Sequence, residues 1–413
     1  MTVLKKIKHL KPSHILAVSF LLFIFYVGLS AFPQFLSNTR DAFSDGFSLR
    51  AYIRSIDDQY KGMLTADQET PLLQNKGTYI NLNGLMANVL DQPFMNERVK
   101  LTNGHLADTA AEEIPADTVK QVADNLIRFS RKQTEREKTF LFVLAPSQID
   151  PENDLLPAGY TDTANKTADS LLRFLEDGDV SCLDLREAME EDGLNRTEAF
   201  FVTDHHWTPQ TGFWAYEKIL EALAEQGAIS PVDTFYINKE NYDFQIHEDS
   251  FLGAAGRRTG IYYAGLDDFC VIAPKFDTDI SVRMESSGLD LQGRYEDVCN
   301  FNMPDSYFSD PDFFNTSAYD IYGRSDTALV QRRNTGAPED SRFLLIGDSF
   351  GNVPFSLMSL YISSCDELDM RYFSDSFEDY YRANLPDTVV LLVNAHNCTD
   401  LNASYPFFPE AEP

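Results

Sequence analysis

Basic residues are scarce in this chain: 34 Lys and Arg stand against 64 Asp and Glu, a formal net charge of −30 over 413 residues. So acidic a chain repels a DNA or RNA backbone unless a local basic patch is set aside for it. No such patch occurs beyond the first dozen residues, which excludes nucleic acid as a partner. Cysteine is scarce too. The five (Cys182, Cys270, Cys299, Cys365, Cys398) include no CxxC pair, so a zinc ribbon and a dithiol redox motif are excluded, and the odd count leaves one thiol outside any disulfide scheme. Internal repeats and low-complexity stretches are absent, which excludes a solenoid. At 43% hydrophobic and 24% charged, the composition is that of a globular chain with a sizeable core.

Acids are missing altogether from the first forty residues, where Lys5, Lys6, Lys8, Lys11 and Arg40 are the only charges beside His9 and His14. Between Lys11 and Arg40, residues 15–32 read ILAVSFLLFIFYVGLSAF, an apolar run of spanning length behind a basic flank. The expected organisation is a cytoplasmic tail at 1–14, a transmembrane signal-anchor at 15–35, a helical stalk at 36–75 and an extracytoplasmic catalytic domain at 76–413. A cleaved signal peptide ending near Ser30 is the alternative. Either reading exports the acidic part, and the first holds it at the cell membrane by a single span.

Within 76–413, Val119, Val122, Leu126 and Phe129 share one face of a helix over 117–138, and TFLFVLA (139–145) follows as a continuous apolar strand. The same helix-then-strand order recurs at 168–176 with 180–185. Further apolar strands stand at 342–346 (RFLLI) and 388–393 (TVVLLV). Apolar strands without alternation, separated by helices, predict an α/β doubly wound parallel sheet covered on both faces. Ligands bind such sheets beyond the carboxyl ends of the strands, here after Ala145, Ile346 and Val393. Residues 229–330 read as an insertion of loops and antiparallel strands, at 260–269 and 269–273.

Two constellations carry chemistry. Gly347-Asp348-Ser349-Phe350 leaves the 342–346 strand in a tight turn, which exposes a serine Oγ at the top of the sheet next to backbone N–H groups able to bind an oxyanion. The other is Thr203-Asp204-His205-His206-Trp207-Thr208, with Thr208 as N-cap and Pro209 as N1 of the next helix. In an extended chain Asp204 and His206 share one face, so Asp204 orients a general base at His206. Metal binding by Asp204, His205 and His206 is the rival reading, and alternation argues against it because the two histidines diverge. A serine, a base and an orienting acid are the parts of nucleophilic acyl transfer, whatever their order in the chain.

TDHHWT at 203–208, IYYAGLDDF at 261–269 and LLIGDSFG at 344–351 resemble the bacterial DHHW family, which is similar to the alginate O-acetyltransferases AlgX and AlgJ. The resemblance spans roughly 76–400 and implies an SGNH-hydrolase-like fold with Ser349, His206 and Asp204 as triad. It further implies O-acetylation of a cell-surface polysaccharide, with a membrane-bound O-acyltransferase delivering the acetyl group, since acetyl-CoA is not available outside the cell. The chain has no acyl-CoA motif, and no cofactor or metal is expected. Two departures stand out: the serine lies far from the N-terminus, and the separate Gly and Asn oxyanion blocks of classical SGNH hydrolases do not align. Phe350, Trp207, His205, Arg371 and Asn394 are the expected substrate or oxyanion contacts, Asn397 is an alternative to Asn394, and Trp207 is the aromatic expected to line the site. A deacetylating esterase on the same triad and a non-catalytic glycan-binding envelope protein are the competing functions. The overall charge points to a neutral or amino-bearing polymer unless the local potential reverses it.

Overall fold

The computed structural model describes residues 76–400 except 109–112, 153, 285–287, 300–306, 310 and 323–326, together with Leu21, Leu22 and Phe25. The expected tail, anchor and stalk lie otherwise outside the described residues; among those described, no helix is long and apolar enough to cross a membrane. The chain divides into two units, Met1–Asn83 and Gly84–Pro413, and the second holds everything that follows.

Three short antiparallel strands come first: β1 (Phe94–Met95), β2 (Arg98–Lys100) and β3 (Leu106–Asp108). Then come α1 (Ala116–Glu135), β4 (Thr139–Ala145), α2 (Ala164–Asp177), β5 (Cys182–Asp184) and α3 (Pro209–Glu225). After the ribbon strand β6 (Tyr242–Phe251) lies a short α4 (Ala254–Thr259), followed by β7 (Asp267–Pro274), β8 (Ile280–Met284), β9 (Leu289–Gly293) and β10 (Leu329–Arg333). The chain closes with β11 (Glu339–Gly347), α5 (Asn352–Tyr361), β12 (Ile362–Leu368), α6 (Phe377–Asn384) and β13 (Thr388–Asn394).

The main sheet has the order β5-β4-β13-β11-β12-β10-β8-β9. From β5 to β12 every pairing is parallel, and from β12 to β9 every pairing is antiparallel. The purely parallel expectation is corrected to a mixed sheet. The reason lies in the stretch expected to be an insertion: β8 buries alternate residues, Ile280, Val282 and Met284, as a one-faced strand does, and extends the sheet edge. Within that stretch, β6 and β7 form a ribbon separate from the main sheet. Ile261–Ala264, expected in a strand, is a short helical turn between Gly260 and Gly265, both at positive φ. Strand β12 was not anticipated because Ser363, Ser364, Asp366 and Glu367 give it no apolar run.

Both faces of the central parallel strands β4 and β13 are buried. Phe140, Phe142 and Leu144 point from β4 toward Leu126 of α1 and Leu171 and Leu175 of α2, while Leu141 and Val143 join the core of α3 and α5 on the other side. Helices α3 and α5 approach so closely at Gly212 that an added Cβ would lie 2.6 Å from Val353. That contact seats the helix whose N-terminus follows Trp207 against the helix that follows Ser349.

Candidate active site

Strand β11 ends at Gly347, and Asp348 caps the tight turn Ser349–Gly351 by accepting the Phe350 N–H at 2.9 Å. Its other carboxylate oxygen accepts the backbone N–H of Asn394 at 3.2 Å and the Asn397 side-chain amide at 2.5 Å. The serine turn is thereby tied to the carboxyl end of the neighbouring strand β13, where α/β sheets place their ligands.

The second constellation arrives from across the sheet. Phe200 and Trp207 form an antiparallel bridge, and the Phe201 N–H donates to the His206 carbonyl at 3.2 Å, so 202–206 is a closed bend. Gln148, at the exit of β4, donates to the Phe201 and Asp204 carbonyls, both at 2.7 Å. Asp267 accepts the N–H groups of Val202 and Thr203, each at 2.8 Å, and the Thr203 hydroxyl at 2.6 Å. Burial pushes the Asp267 carboxyl up to about 6 in spite of these donors.

The bend delivers His206 to Ser349. His206 Nε2 lies 2.6 Å from Ser349 Oγ, and Nδ1 lies 2.6 Å from Asp204 Oδ1. A carboxylate can only accept, so Nδ1 carries the proton and the Nε2 lone pair faces the serine hydroxyl. Asp204 Oδ1 also accepts the His206 N–H at 3.0 Å, and Oδ2 accepts the Ala254 N–H at 2.6 Å. Burial opposes charge on Asp204, yet His206, His205 and the Ala254 N–H together hold its carboxyl far below the usual carboxylate range. The His206 ring stacks on Tyr319, with centroids 4.3 Å apart.

Gly253 is flush against this acid. A Cβ there would lie 2.2 Å from Asp204 Cβ and 2.4 Å from its Oδ2, while its N–H donates to Thr203 Oγ1 at 2.8 Å. Gly253→Ala must therefore displace the Asp204 backbone or α4. We expect at least a tenfold loss in ester turnover with a smaller fractional loss of thermal stability. Full activity in purified Gly253→Ala would show that Asp204 does not need this seat.

The other expected site residues separate. His205 does not diverge from His206, because the bend replaces the extended chain assumed for it: the ring centroids are 3.9 Å apart and His205 Nδ1 is 3.3 Å from Asp204 Oδ1. Burial and the neighbouring His206 lower His205 to about 4. Ligand atoms of Asp204, His205 and His206 do lie within 4.8 Å of one another. A cation among them would have to displace the His206 proton that Asp204 already holds.

Trp207 is fully buried, edge-on to Phe350 at 5.3 Å, and does not line the site; Tyr319 takes that place. The Phe350 N–H is taken by Asp348, so it is not the free oxyanion donor expected. The Asn394 side chain holds backbone, donating to the Pro146 carbonyl at 2.7 Å and accepting the His396 N–H at 2.9 Å. Arg371 does face the site while also pairing with an acid: Asp369 grips its Nη2 at 2.7 Å and its Nε at 3.0 Å.

Ser349 borders two cavities. The larger, of about 270 Å³, is lined by His206, Arg257, Tyr319, Asn352 and Arg371; the smaller, of about 100 Å³, is lined by His205, Arg371 and His396 among others. Only the larger touches His206, so a group exchanging a proton with Nε2 enters there. Tyr319, Arg257 and Asn352 escaped sequence reading. Tyr319 lies within 229–330, where local pattern gives no topology, and nothing local to Arg257 or Asn352 marks them.

A serine at the exit of a parallel strand is thus hydrogen-bonded through histidine to a buried aspartate on an α/β sheet, an arrangement able to support nucleophilic acyl transfer. In agreement with that geometry, residues 106–243 match the family described as the SGNH hydrolase-like domain of the acetyltransferase AlgX. The match contains Asp204 and His206 and ends before Ser349. Bacillus cereus PatB1, solved with a sulfonyl adduct, superposes with a TM-score of 0.60 at 19% identity over 75% of this chain and 98% of that one. A DHHW family protein from Eubacterium siraeum superposes with a TM-score of 0.54 at 16% identity, over 75% of this chain and 94% of that one. At these identities the likeness is one of fold. No curated relative matches the chain.

Proposed function

We propose that the chain is an O-acetyltransferase of the cell envelope, anchored by its N-terminus, that modifies a polysaccharide through an acetyl-Ser349 intermediate. The observation that carries the reading is the run of two 2.6 Å contacts from Ser349 Oγ through the His206 ring to Asp204. The AlgX-type family match and the PatB1 fold support it. In the first step His206 Nε2 takes the Ser349 proton while Oγ attacks the acetyl carbonyl, and the leaving group departs with that proton. In the second, an acceptor hydroxyl in the larger cavity gives its proton to His206 and attacks the acyl-serine, which regenerates the Ser349 hydroxyl. The Ser349 N–H and the amide of Asn352, which lines the larger cavity, are the candidates to meet the oxyanion. A membrane-bound O-acyltransferase supplies the acetyl group across the bilayer in this reading. Water in place of the sugar makes the same residues an esterase.

Mass spectrometry of the full-length protein after exposure to p-nitrophenyl acetate tests the intermediate. The expected adduct is one acetyl group on Ser349 in wild type and none in Ser349→Ala or His206→Ala. Acetylation elsewhere, or an equal adduct in all three, would discard the triad.

A further inference from the structure

A cavity of about 350 Å³ opens between α1 and α6, and none of its lining residues borders either cavity at Ser349. Its volume is that of a small-molecule site. Phe129, Met370, Phe373, Phe377 and Tyr381 wall it. Neighbouring rings hold these walls in place: Phe129 stands edge-on to Phe140 of β4 with centroids 5.3 Å apart, and Phe373 stands edge-on to Tyr380 at 5.6 Å. The walls are thus set by packing that a ligand does not have to supply.

One polar side chain is buried in this lining. Gln133 of α1 is 1% exposed, and its Oε1 accepts the Tyr381 hydroxyl. That bond commits the carbonyl end of the amide, and Nε2 has no partner among the described residues. A buried N–H left without an acceptor is costly, and a ligand oxygen would satisfy it. Lys132 and Arg136 line the cavity from the same side, and neither has an ion pair among the described residues; the Arg136 guanidinium lies over the Tyr381 ring, 5.7 Å from its centroid. On the α6 side, Glu378 is already paired with Arg382, which leaves Asp375 as the lining acid without an ion pair among the described residues. Two cations beside a buried N–H donor, against one uncommitted acid on the other element, fit a carboxylate seated on the α1 side.

We propose that this cavity is a second binding site, for a small organic carboxylate with an aromatic body. The body packs among the four rings and the Met370 thioether. The carboxylate accepts the Gln133 Nε2–H and faces Lys132 and Arg136. The turn that supplies Met370 and Phe373 is closed by the Tyr372 and Phe373 N–H groups, which donate to the Asp369 carbonyl at 3.1 and 3.0 Å, and the same turn carries Arg371 to the cavities at Ser349. The site itself needs no acyl-enzyme, so it stands apart from the acyl-serine reading.

The test titrates the full-length protein by calorimetry with 2-naphthoate, with 2-naphthamide as the uncharged ring of the same shape and with acetate as the carboxylate without a body. Wild type is expected to bind 2-naphthoate about tenfold or more tighter than 2-naphthamide, as a charge-assisted contact provides, and to bind acetate more weakly than either. Lys132→Gln with Arg136→Gln should abolish the preference for 2-naphthoate over 2-naphthamide. Both cations are exposed, so that double variant is expected to fold as wild type does. Gln133→Leu should weaken 2-naphthoate further than it weakens acetate. The place of binding is read separately by NMR of methyl-labelled methionine: the Met370 methyl resonance, assigned with Met370→Leu, should move on titration with 2-naphthoate because an aromatic ring is brought against it. No binding of 2-naphthoate, a Met370 resonance that stays still at saturation, equal affinity for 2-naphthoate and 2-naphthamide, or a charge preference that survives in the double variant overturns the proposal.

Discussion

Ester turnover in Asp204→Asn is expected to fall by about 10³–10⁴ with the fold retained. Asp204 presents only acceptors, and that is what places the His206 proton on Nδ1 and leaves Nε2 free for Ser349. An asparagine amide is able to turn its NH2 toward Nδ1, which moves the ring proton to Nε2. The base then faces the serine hydroxyl with a proton where it needs a lone pair. A carboxamide also gives no counter-charge to the imidazolium formed as Ser349 attacks. The substitution is nearly isosteric, so the Ala254 N–H retains an oxygen to bond and Gly253 keeps its clearance. Release of p-nitrophenol, followed beside near-ultraviolet circular dichroism, separates the chemical effect from a structural one. A folded Asp204→Asn enzyme within tenfold of wild type would mean that this carboxylate does not set the tautomer.

The largest expected change in stability lies away from the site. Glu367 of β12 and Arg332 of β10 form an ion pair whose side chains are 0% and 2% exposed, and Arg332 Nη2 also donates to the Tyr322 carbonyl at 3.1 Å. Removing the acid alone leaves a guanidinium in the core, and Glu367→Ala is expected to cost about 3–5 kcal/mol. The desolvation of both charges already offsets much of their attraction. Replacing them together with apolar residues of similar bulk, Arg332→Met with Glu367→Met, should therefore recover most of that loss. Urea unfolding of the two variants measures the difference. Equal destabilisation of the single and the double variant would show that the pair is needed for more than neutralising a buried charge. It lies where the antiparallel extension joins the parallel half, so the double variant also reports whether that junction depends on charge.

Local pattern was enough for the parallel half of the sheet. Three apolar runs without alternation became β4, β13 and the buried end of β11, because a strand buried on both faces must be apolar at every position, while the half-buried edge strand β5 followed from its place after a helix. Thr208 and Pro209 marked the start of α3 because a hydroxyl N-cap and a proline at N1 satisfy the helix end within a few residues. The triad was legible as residue types, since acyl transfer needs a nucleophile, a base and an acid.

Tertiary structure decided the rest, and the reasons are non-local. Strand β12 is polar because its acids are answered from other strands and helices, Glu367 by Arg332 and Asp366 by Arg333 and Tyr380. The direction of His205 depended on a bend held by Gln148 and Asp267, which lie 56 and 64 residues from the groups they bind. Trp207 was misplaced for the same reason: in a closed bend, sequence alternation no longer says which side chain faces the cavity. Residue identity determined which chemistry this chain can perform. Only folding determined that Ser349 and His206, 143 residues apart, stand 2.6 Å from one another. Distance along the chain carries no information about distance across a sheet.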